Sequence, residues 1–464
     1  MSNHLTLAQM AALIRARELS PVDLVEAHLR QIDRHNSNLN AFVRVLGDEA
    51  METAQKAARE SPGDMGPLHG IPVTIKDSFD MEGLPTTCGS LFFANLRAAH
   101  DAAAVARLKA AGAIPIGKTN CPEFLANYET DNNVIGRTNN PFDPERTPGG
   151  SSGGESAAIS SFCSAGGIGS DGGGSIRVPA HFCGIAGLKP TPGRVSAAGH
   201  VPEISHPGGL LGVAGPMART AEDVRMLFEV LQGYDSQDPF SSPVPLRKPE
   251  LDGIRIGCMP QFYKVPVQPA VSRAVAAAAA CLRDLGFTVE PFEPQGLERA
   301  PNLWWFFFGE LPSRVTRELI AGREDQAHWT GTEFLNRALQ DPEPTSKGVL
   351  QNLAIRDKMR AALLREMEQF PVILMPVCGT TAFHHRQRRY STGDKEIGLF
   401  EAMMPSTLFN LLGMPGMTIP FGRDENGLPV GIQLAGRPYD EELLLELAVR
   451  MEKARGPFPG PAGY

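Results

Sequence analysis

No stretch of this 464-residue sequence is apolar for long enough to cross a bilayer, and its start, Met1-Ser2-Asn3-His4, lacks the basic-then-apolar profile of a secretory signal. Neither a membrane-embedded nor an exported protein is expected. Charge comes in no large blocks: charged residues make up 21% and the net charge of -8 is spread along the chain. That distribution argues for solubility and against nucleic acid or an anionic membrane as partner. The one basic cluster, His384-His385-Arg386-Gln387-Arg388-Arg389, lies in a loop-like stretch and reads as solvated. Cysteine is sparse, with seven residues, no CxxC pair, no metal-ligand spacing and one left over if the rest paired. A reduced, cytoplasmic setting without a metal site is expected. A GxxxxGK[ST] phosphate loop and any repeat of about 20–50 residues are also missing, which sets aside P-loop enzymes, solenoids and propellers.

What is present is an ordinary globular composition, 42% hydrophobic, over a length that allows one large core. Residues 1–60 read as a helical layer, with Leu7, Met10, Leu13 and Ile14, then Leu24, Ala27, Leu29 and Ile32, at helical spacing and Ser20-Pro21 as cap and first-turn proline. From 65 to 235, short apolar runs (Ile71 to Ile75, Ile114 to Ile116) alternate with helical stretches (Ala102 to Ala111, Glu155 to Ser164), the pattern of an α/β core. Residues 236–400 differ in character, with a Pro-rich passage, the strand-like Ile254 to Met259, the alanine-rich helix Val271 to Leu285 and an aromatic run. This reads as a variable, substrate-side insert within a single domain. Residues 401–464 return to the core pattern, with strands at Thr418 to Phe421 and Val430 to Leu434 and a helix from Glu441 to Ala454.

Three segments carry chemistry: Gly70-Ile-Pro-Val-Thr-Ile-Lys76-Asp77, Gly149-Gly-Ser151-Ser152-Gly-Gly154 and Asp171-Gly-Gly-Gly-Ser175-Ile-Arg177. A lysine ending an apolar strand must be neutralised or used, because a buried unpaired ammonium is costly. Burial also lowers its pKa and makes a neutral base available. Four glycines around Ser151 and Ser152 permit a strained turn. Gly172, Gly173 and Gly174 leave consecutive N–H groups unshielded before a serine, as an oxyanion beside a nucleophile requires. Taken singly, GGSSGG also fits a structural turn, DGGGS a turn or an anion nest, and Lys76 a surface lysine; the conjunction selects the chemistry.

The three segments resemble the amidase signature family. So do Gly117-Lys-Thr-Asn120, Gly136-Arg-Thr-Asn-Asn-Pro141, Gly184-Ile-Ala-Gly-Leu-Lys-Pro-Thr191, Gly215-Pro-Met-Ala-Arg-Thr220, Asn410-Leu-Leu-Gly-Met-Pro415 and Gly427-Leu-Pro-Val-Gly-Ile-Gln-Leu434. The resemblance implies an α/β amidase signature fold, a central mixed twisted sheet covered by helices on both faces. It implies a Ser–cis-Ser–Lys triad, with Ser175 as nucleophile, Ser151 as relay after a cis Gly150–Ser151 peptide, and Lys76 as base. Gly172, Gly173 and Gly174, with the Ser175 amide, match the oxyanion hole, and Asp171 and Arg177 match residues that brace it. Gly172 stands where many relatives carry a bulkier residue. The implied reaction needs no cofactor, metal or histidine.

The run Trp304-Trp305-Phe306-Phe307-Phe308 is too long for one helix face to hide, so Trp304, Trp305 and Phe308, together with Tyr128, are expected to line the substrate pocket. That wall favours bulky apolar or aryl amides, with carbamates open as well. It also points, within the family, away from the glutaminase component of tRNA-dependent amidotransferases and towards bacterial amidase, fatty acid amide hydrolase-like and urethanase members. That glutaminase component and a non-catalytic protein retaining the fold remain the alternatives. A small-molecule substrate is the expected partner, and a monomer and a homodimer are equally compatible with the sequence.

Overall fold

The structure, a computed structural model, describes residues 2–203 and 211–464; residues 204–210, inside the 65–235 core, lie outside the described residues. Eleven strands form one sheet. From edge to edge they are Phe42–Val45, Ile114–Thr119, Pro72–Lys76, Gly166–Asp171, Val213–Ala218, Ala186–Lys189, Gly416–Arg423, Pro429–Gly436, Val372–Pro376, Arg255–Cys258 and Thr288–Pro291. Pro72–Lys76 runs parallel to both of its neighbours, whereas Gly416–Arg423 is antiparallel to both of its own. The sheet is therefore mixed, as the resemblance implies.

Three sequence expectations change. The N-terminal layer is not wholly helical, because Phe42–Val45 pairs antiparallel with Ile114–Thr119 as an edge strand; four residues are too few to show a period. The 236–400 segment is not confined to the substrate side either. It contributes Arg255–Cys258, Thr288–Pro291 and Val372–Pro376 to the same sheet. The helix Pro21–Leu39 begins as expected, Ser20 accepting from the Val22 N–H with Pro21 in the first turn. The basic cluster is not simply solvated: Arg388 reaches Glu129 and Glu333 and lies over the Trp329 ring.

Alternation along Pro72–Lys76 positions the site. Val73 and Ile75 enter the main apolar cluster with Ile168 and helical residues such as Val224 and Leu227. In a strand the intervening residues face the other way, so Thr74 and Lys76 point at the fully buried helix Gly153–Ser160. That helix lies close because the neighbouring strand Gly166–Asp171 presents Gly167 and Gly169 to it. A Cβ on Gly167 would strike Glu155, and one on Gly169 would lie 2.8 Å from the Ser152 hydroxyl. Gly154 allows the same approach on the helix side, where a Cβ would sit 2.6 Å from Asn120 O and 2.7 Å from Ala41 O. Because both of these are backbone atoms that cannot turn aside, Gly154→Ala is expected to cost about 1–3 kcal/mol, seen as a lower urea midpoint. An unchanged midpoint would show that the helix can shift without loss.

Candidate active site

Lys76, at the end of its strand, is fully buried and donates from Nζ to Ser151 Oγ at 2.7 Å, Ser152 Oγ at 3.0 Å and Ser170 Oγ at 3.0 Å. Three hydroxyls surround the amine in place of a carboxylate. Burial pushes the Lys76 pKa down to about 8, against the opposing pull of Cys121, Cys88, Asp171 and Glu155. Glu155, also buried, accepts from the Thr74 hydroxyl and, at 2.6 Å, from that of Thr119. Burial raises its pKa to about 7, so each group is driven towards its neutral form.

Ser151 follows a cis Gly150–Ser151 peptide, and Ser151 and Ser175 line one cavity of about 400 Å³. Ser175 is held against the Ser151 turn by the Ser152 N–H donating to its carbonyl at 3.1 Å. The loop before it turns about Asp171. This carboxylate accepts from the N–H groups of Gly174 at 2.7 Å and Ile176 at 3.1 Å, from Arg177 Nε and Nη2 at 3.0 Å each, and from Asn410 Nδ2 at 2.9 Å. Burial alone would raise its pKa; the Arg177 charge and hydrogen bonds outweigh that and hold it well below the usual carboxylate range. Arg177 is completed by Gln433 and Asn410.

These bonds revise the expected oxyanion hole. The Gly174 N–H is taken up by Asp171, so it does not face a reacting oxygen. Those of Gly172, Gly173 and Ser175 donate to no acceptor among the described residues.

The expected pocket residues are also redistributed. Phe308 lines the cavity with Phe93, Phe124, Leu125, Val315, Leu319, Phe334 and Leu335, but Tyr128, Trp304 and Trp305 do not. Trp304 and Tyr128, each 3% exposed, lie behind the glycine loop, and Trp305 bonds Asp341 and packs on Phe334 and Phe400. Trp304 and Trp305 end the helix Ala300–Trp305, which continues as a π-helical turn at Phe306–Glu310; five consecutive positions go right round a helix axis, so the rings take separate environments. The missing side chain at Gly172 is accounted for by Phe308, whose Cε2 would lie 2.6 Å from a Cβ there.

Sequence reasoning missed Ser170 and Glu155, a serine among glycines and an acid inside a small-residue helix. It also missed Phe124 and Leu125, consecutive wall residues at φ 55° and 60°, a conformation that side chains disfavour and that is concentrated at functional sites. No histidine lines the cavity among the described residues. His181 instead accepts from the Gly431 N–H and reaches Thr380 O. The described residues include no cluster of three or more His, Cys, Asp or Glu that could hold a metal, and no helix long and apolar enough to cross a membrane.

Arg177→Met would leave Asp171 charged, buried and short of its main partner. The expected loss is about 3–5 kcal/mol, measured by urea unfolding at pH 7; a loss below about 1 kcal/mol would mean the amides and Asn410 suffice.

Comparison with known proteins places this geometry. Residues 23–445 match the Amidase family. The A-subunit of glutamyl-tRNA(Gln) amidotransferase from Methylococcus capsulatus is 35% identical, the alignment covering 97% of this chain and 96% of that protein. Among solved structures, one from a vestigial protein complex bearing on the evolutionary origins of an s-triazine catabolic enzyme superposes with TM-score 0.90 at 27% identity, covering 99% of this chain and all of that one. The 6-aminohexanoate cyclic dimer hydrolase bound to its substrate gives 0.84 at 27%, covering 97% of both chains. The expectation that the chain stands outside the amidotransferase branch is overturned: relatives at 32–36% identity over nearly the whole chain are named as the A-subunit of that amidotransferase. The aromatic insert that suggested otherwise is a poor guide, since Trp304 and Trp305 do not face the cavity. The expectation of no nucleic-acid partner likewise loses its force beside relatives named for a tRNA substrate.

Proposed function

We propose, from the premise that the chain belongs to the amidase family and is an amidohydrolase, that it cleaves the C–N bond of an amide through an acyl-enzyme at Ser175 and that the amide carries a bulky apolar group. The observation that carries this is Lys76 Nζ on Ser151 Oγ at 2.7 Å, beside a cavity that holds Ser151 and Ser175 and is walled by Phe124, Leu125, Phe308, Val315 and Leu319. Neutral Lys76 takes the Ser151 proton while Ser151 takes that of Ser175, and Ser175 Oγ attacks the carbonyl. The oxyanion meets the N–H groups of Gly172, Gly173 and Ser175. The proton returns to the leaving nitrogen, and water releases the acid by the same relay. A carbamate carbonyl would meet the same groups.

A second reading, the glutaminase component of a tRNA-dependent amidotransferase, is supported by the names of the curated relatives more directly than the first is. Against it, the charged residues lining the cavity among those described are Asp171 and Glu203, with no cation for the α-carboxylate of glutamine.

An aryl anilide, a long-chain primary amide, an aryl carbamate and L-glutamine, each with wild type and Ser175→Ala, separate the two. Ser175-dependent turnover of the apolar compounds is expected; turnover of glutamine alone would establish the second reading, and none at all would overturn both. Ser175→Ala should fall to background, and Lys76→Ala and Ser151→Ala by about 10²–10⁴.

The same assay tests Lys76 as base. With its pKa lowered to about 8 by burial, the neutral fraction falls about tenfold per pH unit below that value. kcat/KM should climb with pH up to about 8 and then level off. A flat profile from about pH 6 to 9 would remove Lys76 from that role.

A further inference from the structure

The backbone from Asp171 to Ser175 would be loose by composition, since glycine restricts itself least. In the structure every carbonyl from Asp171 to Gly174 accepts a hydrogen bond. Asp171 O takes one from Asn410 Nδ2 at 2.9 Å, Gly172 O from Trp304 Nε1 at 2.9 Å, Gly173 O from the Tyr128 hydroxyl at 2.9 Å, and Gly174 O from the Val178 N–H at 2.7 Å. A trans peptide points its C=O and N–H to opposite sides. A donor fixed on a carbonyl therefore also sets the direction of the next residue's N–H. The Trp304 bond orients the free Gly173 N–H, and the Tyr128 bond pins the Gly173–Gly174 peptide, whose N–H Asp171 holds from the far side. The Trp304 ring approaches too closely for any residue but glycine at 173, since a Cβ there would run into it, and the Tyr128 hydroxyl would be a tight 3.1 Å away. Burial also raises the pKa of Tyr128, so its proton stays in place to be donated.

We infer that Trp304 and Tyr128 are positioning residues of the oxyanion hole, holding the Gly172 and Gly173 carbonyls from behind so that the hole is aimed before substrate arrives. The inference rests on the proposed role of Ser175 and its loop. The Trp304 donor on the Gly172 carbonyl also polarises that peptide and strengthens the Gly173 N–H at its other end, while the Tyr128 donor fixes the loop that carries it. Trp304 connects this scaffold to the substrate wall, since its ring stacks on Phe308 with centroids 4.7 Å apart and planes 15° from parallel. The benefit falls on the transition state, where the oxygen is charged, more than on bound substrate.

Trp304→Phe keeps a ring for Phe308 and removes the N–H; Tyr128→Phe removes one oxygen. The probe is an alkyl fluorophosphonate, from which Ser175 Oγ displaces fluoride as its proton passes to the base, leaving the phosphoryl oxygen in the hole. Each variant is expected to label about tenfold more slowly, against ~10²–10³ for outright loss of a hole donor. kcat on the amide turned over by wild type should drop by a similar factor, with KM unchanged. Labelling and kcat equal to wild type, or a raised KM with kcat intact, would overturn the inference while leaving Ser175 as nucleophile. Failure of wild type to label would instead remove the nucleophile assignment and the inference together. Should Trp304→Phe not fold, Tyr128→Phe decides alone.

Discussion

A single buried carboxylate organises this site. Asp171 ends a central strand, and an isolated charge there would be untenable. It is met by Arg177, by Asn410 from a distant helix and by amides of the loop it precedes. Through Arg177 the same knot reaches Gln433 on another strand. Segments as far as 239 residues apart in sequence thus converge on one pair of oxygens, and the loop bearing Ser175 is a by-product of satisfying them. Such a pair gives no guarantee of stability over an apolar replacement; what it fixes here is direction, because every donor has a set angle.

The second constraint is the opposite treatment of a cation. Asp171 keeps its charge because a guanidinium faces it, whereas Lys76 is surrounded by hydroxyls and loses its proton more readily. Two ionisable groups in one region are driven in different senses by what lies next to them. The glycines of the strand Gly166–Asp171 make this possible, because they let the helix Gly153–Ser160 and the Ser151 turn come near enough to encircle the amine.

Of the polar half, Lys76, Ser151 and Ser175 were legible in the sequence because they sit in contiguous motifs, while Ser170 and Glu155 were not. Lys76 ends a readable strand, and Ser151 and Ser175 sit in glycine segments whose steric meaning survives without coordinates. The strands Gly416–Arg423 and Pro429–Gly436 and the helix Pro269–Asp284 were legible for the same reason, a regular local period. Of the apolar half, Phe308 alone was legible. Its wall is gathered from Phe93, Phe124, Leu125, Phe308, Val315, Leu319 and Phe334, residues no local period connects. The directions of Trp304 and Trp305 depend on which side of their helix meets the glycine loop and which meets Asp341, and the run of rings does not announce that. That Gly174 would spend its amide on Asp171 depends on how the loop closes, and a string of three glycines reads alike in either case.

The fit between Gly172 and Phe308 carries a consequence for how this protein can change. One position is empty of side chain because the other fills the space, so the two form a joint unit of volume split across the chain. A larger residue at 172 is tolerated only alongside a smaller one at 308, and trimming 308 alone opens a void against the glycine loop. Variation at either site scanned singly would look forbidden, while the paired exchange would move the cavity wall and leave the backbone amides where they are. The two positions should therefore vary as a correlated pair among descendants of this chain.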